Sequence, residues 1–366
     1  MERNLFTFGD LSVLKKLKKI RKANVLVRIN KIVDWDRLRT LVSVVDFRNT
    51  SHFGRDCYDP LVMFKILFLQ ALYNFSDRDI EEHLNFNILF MQFCGFSIDS
   101  DLPDHSTIAR WRDRFIENDI YEKAFNEINH QLEKKGLELK NASIVDASLV
   151  ISKSRPRKKV IVEVEATGDD AIEDSSDSEP IQKTDSTKMI IYEEESFDPE
   201  ARWLKKGKKS YYGYKEHVSV NKEGFINGLI TTPANVSDTT MLPKIIEKVN
   251  PNEGTKVYGD KAYPSKKNNA LLESKKLQNF LMVKHKSKQN KDESISKSNK
   301  AISKVRYVVE RTFGCIKQNL RGGRSWYIGL EKTHNFNLIR AIIHNLIRAT
   351  NYVFVIAEPK LINVLK

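Results

Sequence analysis

The chain has 366 residues, with 61 Lys and Arg against 48 Asp and Glu, a formal net charge of +13 and 40% hydrophobic residues. That apolar share supports a buried core and excludes wholesale disorder, and the length points to two or three domains. The best apolar stretch, Leu61 to Leu72, is interrupted by Lys65 and falls short of the roughly 20 residues that span a bilayer, so no membrane partner is expected. The opening MERNLFTFGD lacks a secretory apolar run, and Cys57, Cys94 and Cys315 show no zinc-like pairing, which together lead us to expect a cytoplasmic protein.

The charge is unevenly spread. Residues Ile161 to Glu200 carry 14 acids and two lysines, a local net of −12 that leaves +25 on the rest of the chain. So positive a body suits a polyanion partner, although a solvated surface fits the same numbers.

The first 137 residues read as a helical domain. Asp59-Pro60 is a helix start ahead of LVMFKILFLQALY, and Ser76 with Asp79 forms a variant capping box. After the turn at Cys94-Gly95-Phe96, Asp104 or Ser106 caps a further helix bearing Arg110, Trp111, Arg112 and Arg114. Short helices ending in a basic member resemble a helix-turn-helix unit, with the three arginines as DNA contacts or as ordinary structural residues. We expect this segment, to about residue 137, to fold alone and bind DNA.

From residue 138 to 366 the pattern changes. ASIVDASLV reads as a strand, followed by an acidic insert at about 160–197, expected to lack order, in which VIVEVE is strand-like and GDDAIEDSSDSEP is poorest in large apolar residues. Order resumes at Tyr212. YGYKEHVSV and FINGLITTP form two strands joined at Asn221 to Gly224, then a helix from about Asp238 to Val249, the strand TKVYGD, a helix capped by Ser265, and the strand NFLMVKH. A Lys/Ser-rich loop over residues 286–300 leads into a long helix containing VRYVVERTFGCIKQ. An antiparallel meander followed by alternating helix and strand predicts an α/β fold, a ribonuclease-H-like mixed sheet flanked by helices.

Three acids lie where a structural role is hard to supply. Asp146 sits mid-strand in IVDASL, Asp260 ends KVYGD, and Glu310 lies between Val309 and Phe313 of an apolar-faced helix. Brought to one edge of the sheet, they make an oxygen-only site suited to Mg2+ or Mn2+. At 100° per residue, Glu310 lies about 40° from Arg306 and Lys317 about 20° from Glu310, so the three share one stripe. An exposed ion-paired face would give the same stripe.

These motifs resemble the DDE transposases of bacterial insertion sequences, in particular the IS-five type within the IS-four-like group. The likeness covers most of the chain: DRDIEEHLNFNILFMQFCGF, LPDHSTIARWRDRF, IVDASLV, DPEARWLKKGKKSYYGYKEHVSV, GLITTPANVSDTTML, VYGDKAYPS and RYVVERTFGCIK. Where many members carry Tyr, this chain has Ser303. The resemblance implies Asp146, Asp260 and Glu310 as catalytic residues on a two-metal site, with Arg306 and Lys317 holding phosphates. It further implies cleavage at the element's terminal inverted repeats, then in-line attack by the freed 3′-hydroxyl on target DNA. Double-stranded DNA is the expected partner, bound by a homodimer in the bacterial cytoplasm at the nucleoid. A silent transposase-derived repressor and a nuclease without strand transfer are the alternatives. Lys284 and Lys286 add candidate phosphate contacts. His217 reads as a satisfied core histidine, and Trp203 and Trp326 as packing residues or stacking platforms.

Overall fold

The computed structural model describes residues 24–45, 57–156, 160–164, 188–192, 196–285 and 292–357. Seven helices come first: α1 Val25–Ile32, α2 Trp35–Val42, α3 Pro60–Tyr73, α4 Asp77–Phe86, α5 Ile88–Cys94, α6 His105–Glu117 and α7 Ile120–Lys134. Their starts follow the capping chemistry in the sequence. Asp59 accepts from the Leu61 amide with Pro60 in the first turn, and Asp104 accepts from Thr107. The Ser76–Asp79 capping box closes reciprocally, each side chain taking the other's backbone N–H.

The second half holds β1 Ala142–Ile151, β2 Val160–Val164, β3 Lys188–Tyr192, β4 Arg202–Lys206, β5 Lys209–Val220, β6 Ile226–Pro233, α8 Asp238–Val249, β7 Lys256–Gly259, α9 Lys266–Ser274, β8 Gln278–Leu281, α10 Glu293–Asn319 and α11 Leu330–Ala357. β5 pairs antiparallel with both β1 and β6, while β7 lies parallel to β1 and β8 parallel to β7. The resulting order β6-β5-β1-β7-β8, with helices on both faces, is the expected ribonuclease-H-like arrangement. One face, carrying Val145 and Val257, packs on α8 and α9. The other, carrying Ile144 and Val218, packs on α10 and α11.

Several features depart from the sequence reading, among them α11, which follows the last helix expected. The two ends of the acidic insert pair as an antiparallel ladder, β2 with β3; the GDDAIEDSSDSEP segment lies outside the described residues. β4 precedes the expected resumption of order at Tyr212 and pairs with the start of β5. α10 begins at Glu293, capped by Asp292, inside the stretch expected to be a loop.

The helical first half shares its core with α11. α11 packs against α7, α1 and α3 as well as β6, and the buried residues of α3, α6 and α7 form one continuous cluster with Leu338, Ile342 and Leu346. Polar contacts tie the same seam: Asn345 Nδ2 donates to Asn129 Oδ1 at 2.8 Å, and Lys332 meets Asp113 at 2.8 Å. A segment ending near residue 137 would part with the α11 side of this core.

Candidate active site

β1 and β7 run parallel, with Ile144 beside Tyr258, so Asp146 and Asp260 lie next to each other where the two strands end their pairing. α10 crosses the Ile144 face of β1. Its one stripe delivers Arg306 to Asp146 and turns Glu310 and Lys317 toward the same opening. Asp146, Ser148, Leu149, Lys206, Tyr211, Glu310 and Lys317 line a cleft of about 540 Å3, and Asp260 is not among its lining residues. At its floor Gly322 and Gly323 run beside the end of β1, where the Ile151 amide donates to the Gly323 carbonyl at 2.9 Å.

Arg306 does not pair with Glu310 along its own helix, as an exposed ion-paired face would require. Its Nη2 instead lies 3.0 Å from Asp146 Oδ2. Its Nη1 reaches the Met282 sulfur, and its Nε is buried without a hydrogen-bond partner. Burial pushes the Asp146 carboxyl above its ordinary range; Arg306 opposes this, and the charges of Asp260 and Glu310 add to it. Asp260 is engaged locally, accepting from the Ala262 amide at 2.7 Å. Glu310 and Lys317 are both exposed.

A divalent cation fits this donor set by its chemistry. The three side chains offer only carboxylate oxygens, the ligands that hard ions take, and their mutual repulsion at Asp146 is what such a charge relieves. Among the described residues no three His, Cys, Asp or Glu side chains stand close enough together to enclose an ion. The cation now at Asp146 is the Arg306 guanidinium.

The other expected DNA contacts divide. Arg110 is exposed and bonds only within α6, to Ser106 and Thr107. Arg114 is half-buried over the Trp111 ring. Arg112 is a correction: it is 8% exposed, ion-paired with Asp77, bonded to Gln70 and seated over Tyr327. The reason is helical phase. Arg112 falls four residues after Ile108 and three before Phe115, inside the stripe that α6 buries. Lys284 is exposed beyond β8, and Lys286 lies outside the described residues. Trp203 is half exposed, while Trp326 packs on Phe336.

His217 is fully buried and Nε2 lies 3.0 Å from Thr232 Oγ1; burial drives its pKa down to about 4. It is a neutral core residue, but not the satisfied one expected: its Nδ1 is buried with no hydrogen-bond partner, 4.0 Å from Asp238 Oδ1. Sequence reasoning passed over Tyr263, three residues beyond Asp260. Its hydroxyl is buried with no partner, and after burial itself the charges of Asp146, Asp238 and Asp260 raise its pKa most. Lys206 and Tyr211 were missed too, because nothing in their spacing relates them to Asp146.

Among the described residues no helix is long and apolar enough to cross a membrane. Residues 14–114 match the family described as "Transposase domain (DUF772)", and residues 176–346 match the "Transposase DDE domain". The chain is 32% identical over 244 residues to the transposase for insertion sequence element IS1106 of Neisseria meningitidis serogroup B, covering 66% of this chain and 77% of that one. It is also similar to a piggyBac transposase in a synaptic complex with hairpin DNA, at 12% identity and a TM-score of 0.42, over 97% of this chain and 77% of that chain. The two family matches and the identity to a curated relative agree: the chain belongs to the DDE transposases of insertion sequences.

Proposed function

We propose that this transposase, of the IS-five type within the IS-four-like group, cuts DNA at the ends of its element and joins them to target DNA, using Asp146, Asp260 and Glu310 with Mg2+ or Mn2+ at a two-metal site. The observation that carries the reading is one cleft lined by Asp146, Glu310 and Lys317, with Arg306 on Asp146. Divalent ions bound by the three acids would neutralise charge on the scissile phosphate and make water a stronger nucleophile near neutral pH. The chain's own residues do the positioning. Lys317 stands at the cleft wall as a point charge for a phosphate, and Arg306 carries a spare Nε–H for a second oxygen. Ser148, buried with an unpartnered hydroxyl two residues from Asp146, lies within the same cleft. In-line attack by water or by a DNA 3′-hydroxyl needs orientation and charge neutralisation, and no protein nucleophile.

End recognition would fall to the helical half, with Arg110 as the outward residue of α6, and a homodimer would hold the two ends together. The test is Asp146→Asn, Asp260→Asn and Glu310→Gln in the full chain. Each should abolish Mg2+-dependent cleavage of DNA carrying the element's flanking inverted repeats while leaving binding of that DNA nearly intact, since affinity comes from basic side chains. Cleavage at the wild-type rate in any variant would remove that residue from the site.

A further inference from the structure

β4 and β5 continue beyond the edge of the main sheet as a two-stranded arm. The arm pairs Arg202 with Gly213 down to Lys206 with Lys209, and turns through Gly207-Lys208. Gly207 has φ +62 with open space around it, the backbone a two-residue hairpin loop needs at its first position. Where the arm leaves the sheet, a side chain at residue 213 would put its Cβ 2.2 Å from the Val150 carbonyl oxygen, so only glycine fits.

The base of this arm is fastened with unusual care. Asp198 is fully buried just before β4 and accepts hydrogen bonds from Ser152 Oγ, the Tyr214 hydroxyl and the Gly329 amide, the last at 3.2 Å. Its own carbonyl accepts from the Tyr212 hydroxyl at 2.7 Å. β1, β5 and the start of α11 are thus tied to one carboxylate. The tip is the opposite: Lys205, Lys206, Lys208 and Lys209 are all exposed. Lys206 and Lys209 stand directly across from each other, a like-charge pair that opposes hairpin formation. Alternation puts Leu204 and Tyr211 on the same side as these two lysines, and that side carries Lys206 and Tyr211 into the lining of the Asp146–Glu310 cleft.

An anchored arm whose exposed tip gathers four lysines, one of them lining the Asp146–Glu310 cleft, presents a surface for a polyanion. We propose that the β4–β5 hairpin is a DNA grip, in which Lys206 and Lys209 hold backbone phosphates of the strand led into the cleft and Lys205 and Lys208 hold the flanking duplex. The proposal rests on the transposase reading, because it takes the occupant of the cleft to be DNA.

The experiment uses the full chain and a short linear duplex of mixed sequence, titrated over a series of NaCl concentrations. The variant replaces Lys205, Lys206, Lys208 and Lys209 with Gln. A matched variant with Gln at Lys266, Lys267, Lys275 and Lys276, exposed positions in or just after α9, controls for bulk charge. The arm variant should bind at least about 10-fold more weakly at low salt, and its log K against log salt slope should flatten by about 0.9 for each lysine that contacts a phosphate. The α9 variant should show a much smaller change, and Arg at the four arm positions should restore binding. Equal losses in the two Gln variants, or no loss in the arm variant, would overturn the grip and leave the lysines as guards against edge pairing. A double variant, Lys206→Gln with Lys209→Gln, relieves the cross-strand repulsion and serves if the quadruple variant folds poorly. A wild-type chain that binds the duplex and cuts no DNA with Mg2+ or Mn2+ would refute the cleavage reading while leaving the grip measurable. A wild-type chain that binds no duplex at all would overturn both.

Discussion

The guanidinium of Arg306 lies 3.0 Å from Asp146 Oδ2, so the central acid of the cleft already holds a positive charge. A divalent ion that takes Asp146 as a ligand has to displace or share it. On the proposed reading Arg306 would have two successive partners, the carboxylate before loading and a phosphate oxygen after it. Arg306→Gln should lower the Mn2+ concentration for half-maximal cleavage several-fold, since the competitor is gone, and lower the maximal rate at least about 10-fold, since the phosphate contact is gone. Arg306→Lys should fall between wild type and Arg306→Gln in both. Cleavage measured against Mn2+ concentration separates the two effects, and an unchanged half-saturation point would remove the competition.

Asp198 predicts a stability effect far from the chemistry. Removing a buried carboxylate strands the Ser152 and Tyr214 hydroxyls that it satisfies. Asp198→Ala should cost about 3 kcal/mol or more of unfolding free energy, and Asp198→Asn clearly less, because the amide oxygen still accepts one donor. Urea unfolding checks it, and a wild-type midpoint for Asp198→Ala would mean that the hub holds nothing.

Glu216 predicts a pH effect. It lies on β5 opposite Ser148, and burial pushes its carboxyl from the ordinary 4.5 up to about 7, against the pull of Arg340 and Lys317. The folded chain keeps the proton where the unfolded chain has lost it, so this contribution is fully present below about pH 4.5 and is lost as pH rises toward 7. Glu216→Gln should leave stability near pH 4.5 unchanged and raise it by about 1–3 kcal/mol at pH 8. Melting curves at the two pH values decide it, and an equal change at both would assign the effect to packing rather than to the proton.

The seam between the first seven helices and α11 predicts the fate of fragments. A chain ending at residue 137 exposes the surface that Leu338, Ile342 and Leu346 cover, and should melt without a cooperative transition. Thermal unfolding followed by near-UV circular dichroism tests this, since Trp111 and Phe115 are packed in that core. A sharp transition would show that the helices close on themselves without α11.

Much of this was legible in the residues. Caps at Asp59, Ser76, Asp104 and Ser265 start helices where their side chains reach the first turn. An aspartate in a β-branched run and another at a strand end were visible because such positions reject charge without a use for it. What escaped had physical causes. β4 is exposed at four of its five residues and so lacks alternating burial as a signal. α11 is buried almost without break from Leu338 to Leu346, which erases helical periodicity. Arg112 was misread because residue type was weighed and phase was not. The β5 register that sets Tyr211 over the cleft depends on Gly213 packing against Val150, a contact between strands some sixty residues apart.

The seam also sets an order of events during synthesis. α1 and α11 lie together, with Arg28 reaching Asn351 at 3.4 Å, so the earliest described helix made by the ribosome is completed by the last. Until α11 emerges, the helical half has apolar surface open to chaperones and proteases. A message broken before that point would leave that surface without the helix that covers it. The first helices of the chain thus wait on its last described helix for the other side of their core.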